Sequence, residues 1–108
     1  MKKEELYQLA FQLILHSGNA RSSAMEAMQA AKKGDFSLVK CRLADSDKEL
    51  IEAHQLQTKL MQNEAAGEKY DIPIILVHAQ DHVMTAMTLK EMADEIIELW
   101  QEITRQRK

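Results

Sequence analysis

Apolar residues recur along this chain in alternating steps of four and three, the spacing of a helix face packed against other helices. In the first third, Leu6, Ala10, Leu13, Ser17, Ala20, Ala24, Ala27 and Ala31 form such a line. Its side chains are mostly small, so a neighbouring helix can approach closely. In the middle third, Phe36, Val39, Leu43, Leu50, Ala53 and Leu60 lie on a comparable line, with Ser46 and Gln57 as polar members. The last third gives His78, His82, Thr85, Leu89, Met92, Ile96, Leu99 and Ile103, polar at its start and apolar beyond.

Two stretches interrupt these patterns. Gly34 and Asp35 close the first and open the second, with Asp35 placed as an N-cap. Gly67 to Pro73 is the second break, with Pro73 near the start of the third segment. The spacing therefore predicts three helices, over Lys3–Lys33, Asp35–Ala66 and Ile74–Arg107, each roughly 45 Å long at 1.5 Å per residue. Gly18-Asn19 interrupts the first pattern at a cost of about 1 kcal/mol relative to alanine and marks a candidate kink. Connections this short force neighbours to run antiparallel. The expected fold is an all-α, up-down-up three-helix bundle in one domain spanning residues 1–108.

Composition narrows the function classes. One proline and three glycines among abundant Ala, Leu, Glu, Gln, Lys and Met favour helix. The net charge of −3 and the dispersed basic residues argue against a nucleic-acid partner. The longest uncharged apolar stretch, Ile72 to Ala79, is too short to span a bilayer and contains Pro73. No charged segment followed by an apolar one opens the chain, so no secretory signal is expected. The single Cys41 has no internal disulfide partner, which fits a reducing cytoplasm, and its place in a helical pattern suggests packing rather than nucleophilic chemistry. The basic tail, Arg105, Arg107 and Lys108, suits a helix C-terminus.

The chemistry gathers at the start of the third helix. His78 and His82 stand one turn apart, Asp81 lies beside them, and Thr85 and Thr88 continue that side. Titratable groups on a core line are costly unless a partner or a function compensates. Three readings compete at this point. The first is two helix-end histidines beside a solvated aspartate. The second is a transition-metal site, since histidines at i and i+4 with a carboxylate form a workable zinc ligand set. The third makes one imidazole a phosphoryl acceptor, its second nitrogen held by a hydrogen bond that fixes the tautomer.

The segment His78-Ala-Gln-Asp-His-Val-Met-Thr85 resembles the signature of the IIA component of the lactose/cellobiose-type sugar phosphotransferase system. Gly18-Asn-Ala-Arg-Ser22, Gly34-Asp-Phe36, Glu52-Ala-His-Gln-Leu-Gln-Thr58 and Glu64-Ala-Ala-Gly67 resemble the same family's pattern, in the same order. Ala79 and Val83 stand where some relatives carry glycine and leucine. The resemblance implies that His78 accepts phosphate from the histidine phosphocarrier protein and passes it to a cysteine of the IIB component, in a bacterial uptake system for a β-disaccharide. The membrane IIC component would be an indirect partner. It further implies a homotrimer in which Asp81 meets its two copies around a structural magnesium ion, one per trimer. His82 is given a supporting role. The sugar meets the membrane component, so lactose, cellobiose, chitobiose and other β-glucosides all remain open.

A carrier of this kind needs little beyond one positioned nucleophile, because phosphoryl transfer depends mostly on geometry and charge stabilisation. Met84, Met87 and Met92 offer an adaptable apolar surface for docking two partners in turn. The alternative is a non-catalytic helical metal-binding or adaptor module using His78, Asp81 and His82. Elsewhere, His54 is expected to pack between helices, His16 to face solvent and Arg21 to support structure. Tyr7 and Trp100 are expected in apolar seams, and Glu91, Asp94, Glu95 and Glu98 on a solvated face.

Overall fold

The computed structural model describes residues 1–107, folded as three helices: α1 (Lys3–Lys32), α2 (Phe36–Ala65) and α3 (Ile74–Gln106). No strand occurs among the described residues. Lys108, the last member of the basic tail, lies outside them. Where the helix ends differ from expectation they differ by one residue, the usual fraying of a terminal turn. The bundle is a rod with extents of 59 × 21 × 19 Å.

Local hydrogen bonding explains both turns. Gly34 has φ of +81°, the left-handed conformation that favours glycine. It lets the Gly34 N–H donate to the Ala31 carbonyl at 3.0 Å and the Asp35 N–H to that of Ala30 at 2.9 Å. Those two bonds satisfy carbonyls that the end of α1 would otherwise leave bare. Asp35 then accepts from the Leu38 N–H at 3.2 Å, capping α2 as its position predicts. Gly67 repeats the motif after α2, with φ of +108° and bonds from Gly67 to Glu64 and from Glu68 to Asn63.

α1 is the shared neighbour of the other two helices, which touch each other far less. Every member of its predicted line is buried. Against its two ends sit two clusters. Leu6, Ala10 and Leu13 pack with Ala53, Leu60, Leu76, Ala79 and Val83. Ala27, Ala30 and Ala31 pack with Val39 and Ile97, covered by Trp100. Where α2 meets α3, two polar ties cross the seam. The Gln57 amide donates to the Gln80 side-chain oxygen, and the Lys90 ammonium lies 2.9 Å from Asp47 on α2 and 3.0 Å from Asp94 on its own helix.

The third line, expected at the core, lies outside it. The residues α3 buries are Leu76, Ala79, Val83, Ala86, Ala93 and Ile97, with Lys90 on the same face. Met92 and Leu99 are 57% and 63% exposed, and His78 is exposed as well. The helix carries two apolar faces. Small residues on α1 and α3 let those backbones approach closely, so α1 takes the alanine-bearing face and the bulkier one is left outward.

Other expectations change with it. Cys41 is exposed rather than packed, and so is His54. His16 does not face solvent: its Nδ1 lies 2.6 Å from a Glu49 carboxylate oxygen in the partly buried α1–α2 seam. Arg21 is exposed and forms no ion pair among the described residues. α1 continues through Gly18-Asn19 as one helix. Tyr7 is more exposed than a seam residue, with the Lys3 ammonium 5.9 Å from its ring centroid.

Candidate functional site

Pro73 has extended backbone angles and ends the 67–73 connection, and α3 begins at the next residue. Leu76, Ala79 and Val83 then pin the first turns of α3 against α1 and α2. That packing fixes the rotation of the helix and so the direction of the residues between them. His78 and His82 occupy successive turns outside the core, the first exposed and the second half-buried.

The two imidazoles meet edge to face, with ring centroids 4.4 Å apart and planes at 88°. Their Nε2 atoms are 3.0 Å apart, a hydrogen-bond distance. One Nε2 must therefore donate and the other accept, so between them the pair holds one bridging proton. When His82 donates, His78 keeps its own proton on Nδ1 and its Nε2 lone pair accepts the bond. The arrangement ties the tautomer of each ring to that of a side chain only four residues away.

Asp81 is exposed and its carboxylate makes no hydrogen bond or ion pair among the described residues. The three-residue patch expected from spacing is thus a histidine pair plus a separate carboxylate. Thr85 and Thr88 turn their hydroxyls back to the carbonyls of Asp81 and Met84, at 2.8 and 3.1 Å. Of the three methionines, Met84 and Met92 are exposed, whereas Met87 packs against the core. An open cleft at the end of the bundle is lined by Leu6, Tyr7, Tyr70, Pro73 and Ile74, and neither histidine belongs to its lining. His54 and His16 stay away from the pair.

Two residues that hold the site-bearing helix are not evident from the sequence pattern. Gln57 reads there only as a polar interruption of the α2 line, and Lys90 lies off the α3 line traced through the histidines, on the helix's other apolar face. The available signal is the same in both cases, a polar side chain on an otherwise apolar face.

Known proteins share this sequence pattern and this fold. The family model of the PTS system lactose/cellobiose-specific IIA subunit matches residues 8–101. The chain is 58% identical over 104 residues to the lichenan-specific phosphotransferase enzyme IIA component of Bacillus subtilis (strain 168), covering 96% of this chain and 94% of that protein. It is 44% identical over 100 residues to the N,N'-diacetylchitobiose-specific EIIA component of Escherichia coli (strain K12), covering 93% and 86%. The crystal structure of the PTS cellobiose-specific enzyme IIA from Bacillus anthracis superposes with a TM-score of 0.90 at 47% identity, over 97% of this chain and 94% of that one. A solution structure of the Escherichia coli IIA(chitobiose)–HPr complex superposes with a TM-score of 0.79 at 38% identity, over 96% and 99%.

The chain belongs to the lactose/cellobiose-specific IIA family of the sugar phosphotransferase system. It is a phosphotransferase component, which sets aside the non-catalytic metal-binding or adaptor module.

Proposed function

We propose that His78 is the phosphate-carrying residue and Nε2 its reacting atom. The observation that carries this reading is the exposed imidazole held at Nε2, 3.0 Å from a second imidazole, on a helix anchored by core packing. The histidine phosphocarrier protein presents a phosphohistidine. The His78 Nε2 lone pair attacks phosphorus, the new N–P bond forms, and the donor's N–P bond breaks. In the second half, a cysteine thiolate of the IIB component attacks the same phosphorus and His78 Nε2 leaves. The IIB component then serves the membrane IIC component, which reads a β-linked disaccharide. Likeness to a IIA solved in complex with HPr supports the first partner.

His82 acts as a supporting donor. Its Nε2–H bonds to His78 in the free protein and turns to a phosphoryl oxygen as the donor arrives, which frees the His78 lone pair for attack and gives a charge-assisted bond to the dianion. Exposed Met84 and Met92 supply adaptable apolar contact for the two partners. The setting is the cytoplasm, consistent with a lone cysteine and with described helices that are too short in apolar run to cross a membrane.

The working form is a homotrimer built on the outward face of α3, with Asp81 of each copy at a shared magnesium ion. Each chain offers one exposed carboxylate there, and no group of three His, Cys, Asp or Glu among the described residues could hold a metal within one chain. A hard dication with several waters suits carboxylates contributed by separate copies. When bound, the ion would neutralise the repulsion between them.

Labelling tests the phosphate reading. Phosphoenolpyruvate and the general phosphotransferase proteins should place one phosphate per chain, acid-labile and alkali-resistant as a phosphoramidate is. His78→Ala should abolish it, while His54→Ala and His16→Ala should keep it. His82→Ala should slow transfer without removing the site. Labelling that survives His78→Ala would show that another residue is the acceptor.

A further inference from the structure

We infer that the His78–His82 pair is also a chelating site for a borderline transition-metal dication of the nickel(II) or copper(II) type, and that such an ion excludes phosphate. The two Nε2 atoms face one another at 3.0 Å on adjacent turns of one rigid helix. Metal–imidazole bonds are about 2.0–2.1 Å long. Two such bonds spanning 3.0 Å enclose an angle of about 95° at the metal. That is near the cis angle of square-planar or octahedral coordination, and imidazole is a favoured ligand for nickel and copper.

The proton count also closes. In the free pair one Nε2 carries the bridging proton. Binding requires both Nε2 lone pairs, so that ring shifts to its Nδ1–H form through solvent, with no net proton released. The helix need not move, because the nitrogen separation is already close to the bite and only the two rings must turn for their lone pairs to converge. With no third His, Cys, Asp or Glu grouped there among the described residues, water would complete the coordination sphere. The result is a reversible chelate of one ion per chain. It differs in stoichiometry and donor type from an oxygen-ligated ion shared between copies.

Chelation would occupy the atom assigned above to phosphate. Inhibition therefore rests on the reading of His78 as the acceptor, whereas metal binding does not. Two arms keep these separate. In the first, calorimetric titration with nickel(II) should show one ion per wild-type chain. His78→Ala and His82→Ala should each weaken binding by about tenfold or more, because the second nitrogen then no longer closes intramolecularly. His82→Gln, which keeps a polar side chain of similar reach, should lose it equally, and His54→Ala should bind as wild type. In the second arm, nickel(II) should block phosphorylation by purified phosphorylated carrier, chelator should restore it, and His82→Ala should be far less sensitive. Wild-type affinity in the His82 variants would overturn the site. Equal nickel inhibition of wild type and His82→Ala would overturn the exclusion. Wild-type protein that takes no phosphate even without nickel would defeat the acceptor reading alone, leaving the titration to decide the metal site.

Discussion

Two buried serines show how much a single hydroxyl's surroundings matter. Ser46 is fully buried and donates to the Ala20 carbonyl at 2.8 Å, tying α2 to α1. Ser17 is 1% exposed, and its hydroxyl has no hydrogen-bond partner among the described residues. A buried hydroxyl without a hydrogen bond costs about 1–3 kcal/mol, while a made one contributes about 1 kcal/mol. Replacing each with alanine should therefore act in opposite directions. Ser17→Ala should stabilise by about 1 kcal/mol, raising the melting temperature by roughly 4–8 °C in a domain of this size. Ser46→Ala should lower stability by about 0.5–1.5 kcal/mol. Thermal unfolding of both variants beside wild type decides it, and a Ser17→Ala protein that melts earlier would mean the hydroxyl is satisfied in solution. Neither serine can be told apart in the sequence, where both simply occupy core positions. The same blindness applies to His16, whose partner Glu49 lies on another helix.

At the scale of helices, the α1 and α2 lines are legible because the 3-4 line read on each is a face that the chain itself covers. Both turns are legible too: at the first, a glycine in the left-handed region is followed by a capping aspartate, and at the second a left-handed glycine is followed six residues on by the proline that opens α3. α3 departs from its expected packing for a physical reason. Periodicity reports that a face is apolar, not which neighbour will cover it, and α3 has two such faces. The choice falls to close approach, which can be tested directly: Ala24, wholly buried on α1, leaves no room for a larger side chain. Ala24→Leu should destabilise by about 1–3 kcal/mol in urea unfolding, and a neutral result would mean that the helices are not held at the close spacing their alanines imply. The α2–α3 seam gives a second prediction. Burial disfavours the Lys90 charge, but the hydrogen bonds it donates to Asp47 and Asp94, with their negative charge, outweigh that, and the ammonium pKa ends above the ordinary lysine value of 10.5. A raised folded-state value means that the stabilisation is fully present below the ordinary value and disappears as pH rises through the folded one. Unfolding measured from about pH 9 to about pH 12 should thus show an alkaline loss in wild type that is reduced in Lys90→Met. Near neutrality that variant should lie within about 1 kcal/mol of wild type, because both aspartates are about half exposed and can rehydrate. An unchanged alkaline slope would remove Lys90 from the account.

For the molecule as a whole, the open question is what covers the outward apolar residues. Met92, Leu99 and Ile103 stand exposed on α3, and Phe11 and Leu15 on α1. Scattered exposed apolar residues are ordinary on a protein surface, but a continuous helical stripe of them is a contact waiting for a partner. A trimer about α3 would bury that stripe and bring three Asp81 carboxylates together. Like charges so placed oppose association and raise one another's pKa, and a hard dication removes the penalty. An ion bound only by the assembled state adds RT ln(1 + [L]/Kd), about 2.7 kcal/mol when its concentration is a hundred times the dissociation constant. Chelator should therefore promote dissociation, most visibly at low protein concentration. Asp81→Asn should associate with or without chelator, because the substitution deletes the repulsion along with the ion. Leu99→Asp should dissociate in both conditions, since it places charge in the apolar contact itself. His78→Ala should respond to chelator like wild type, which separates the proposed shared ion from the proposed phosphate site. Sedimentation equilibrium of these four proteins, each with and without chelator, tests the assembly and its ion together. A wild-type chain that stays monomeric throughout would refute the trimer. A trimer whose chelator response survives Asp81→Asn would move the ion elsewhere and leave the outward stripe of α3 as the only support for association.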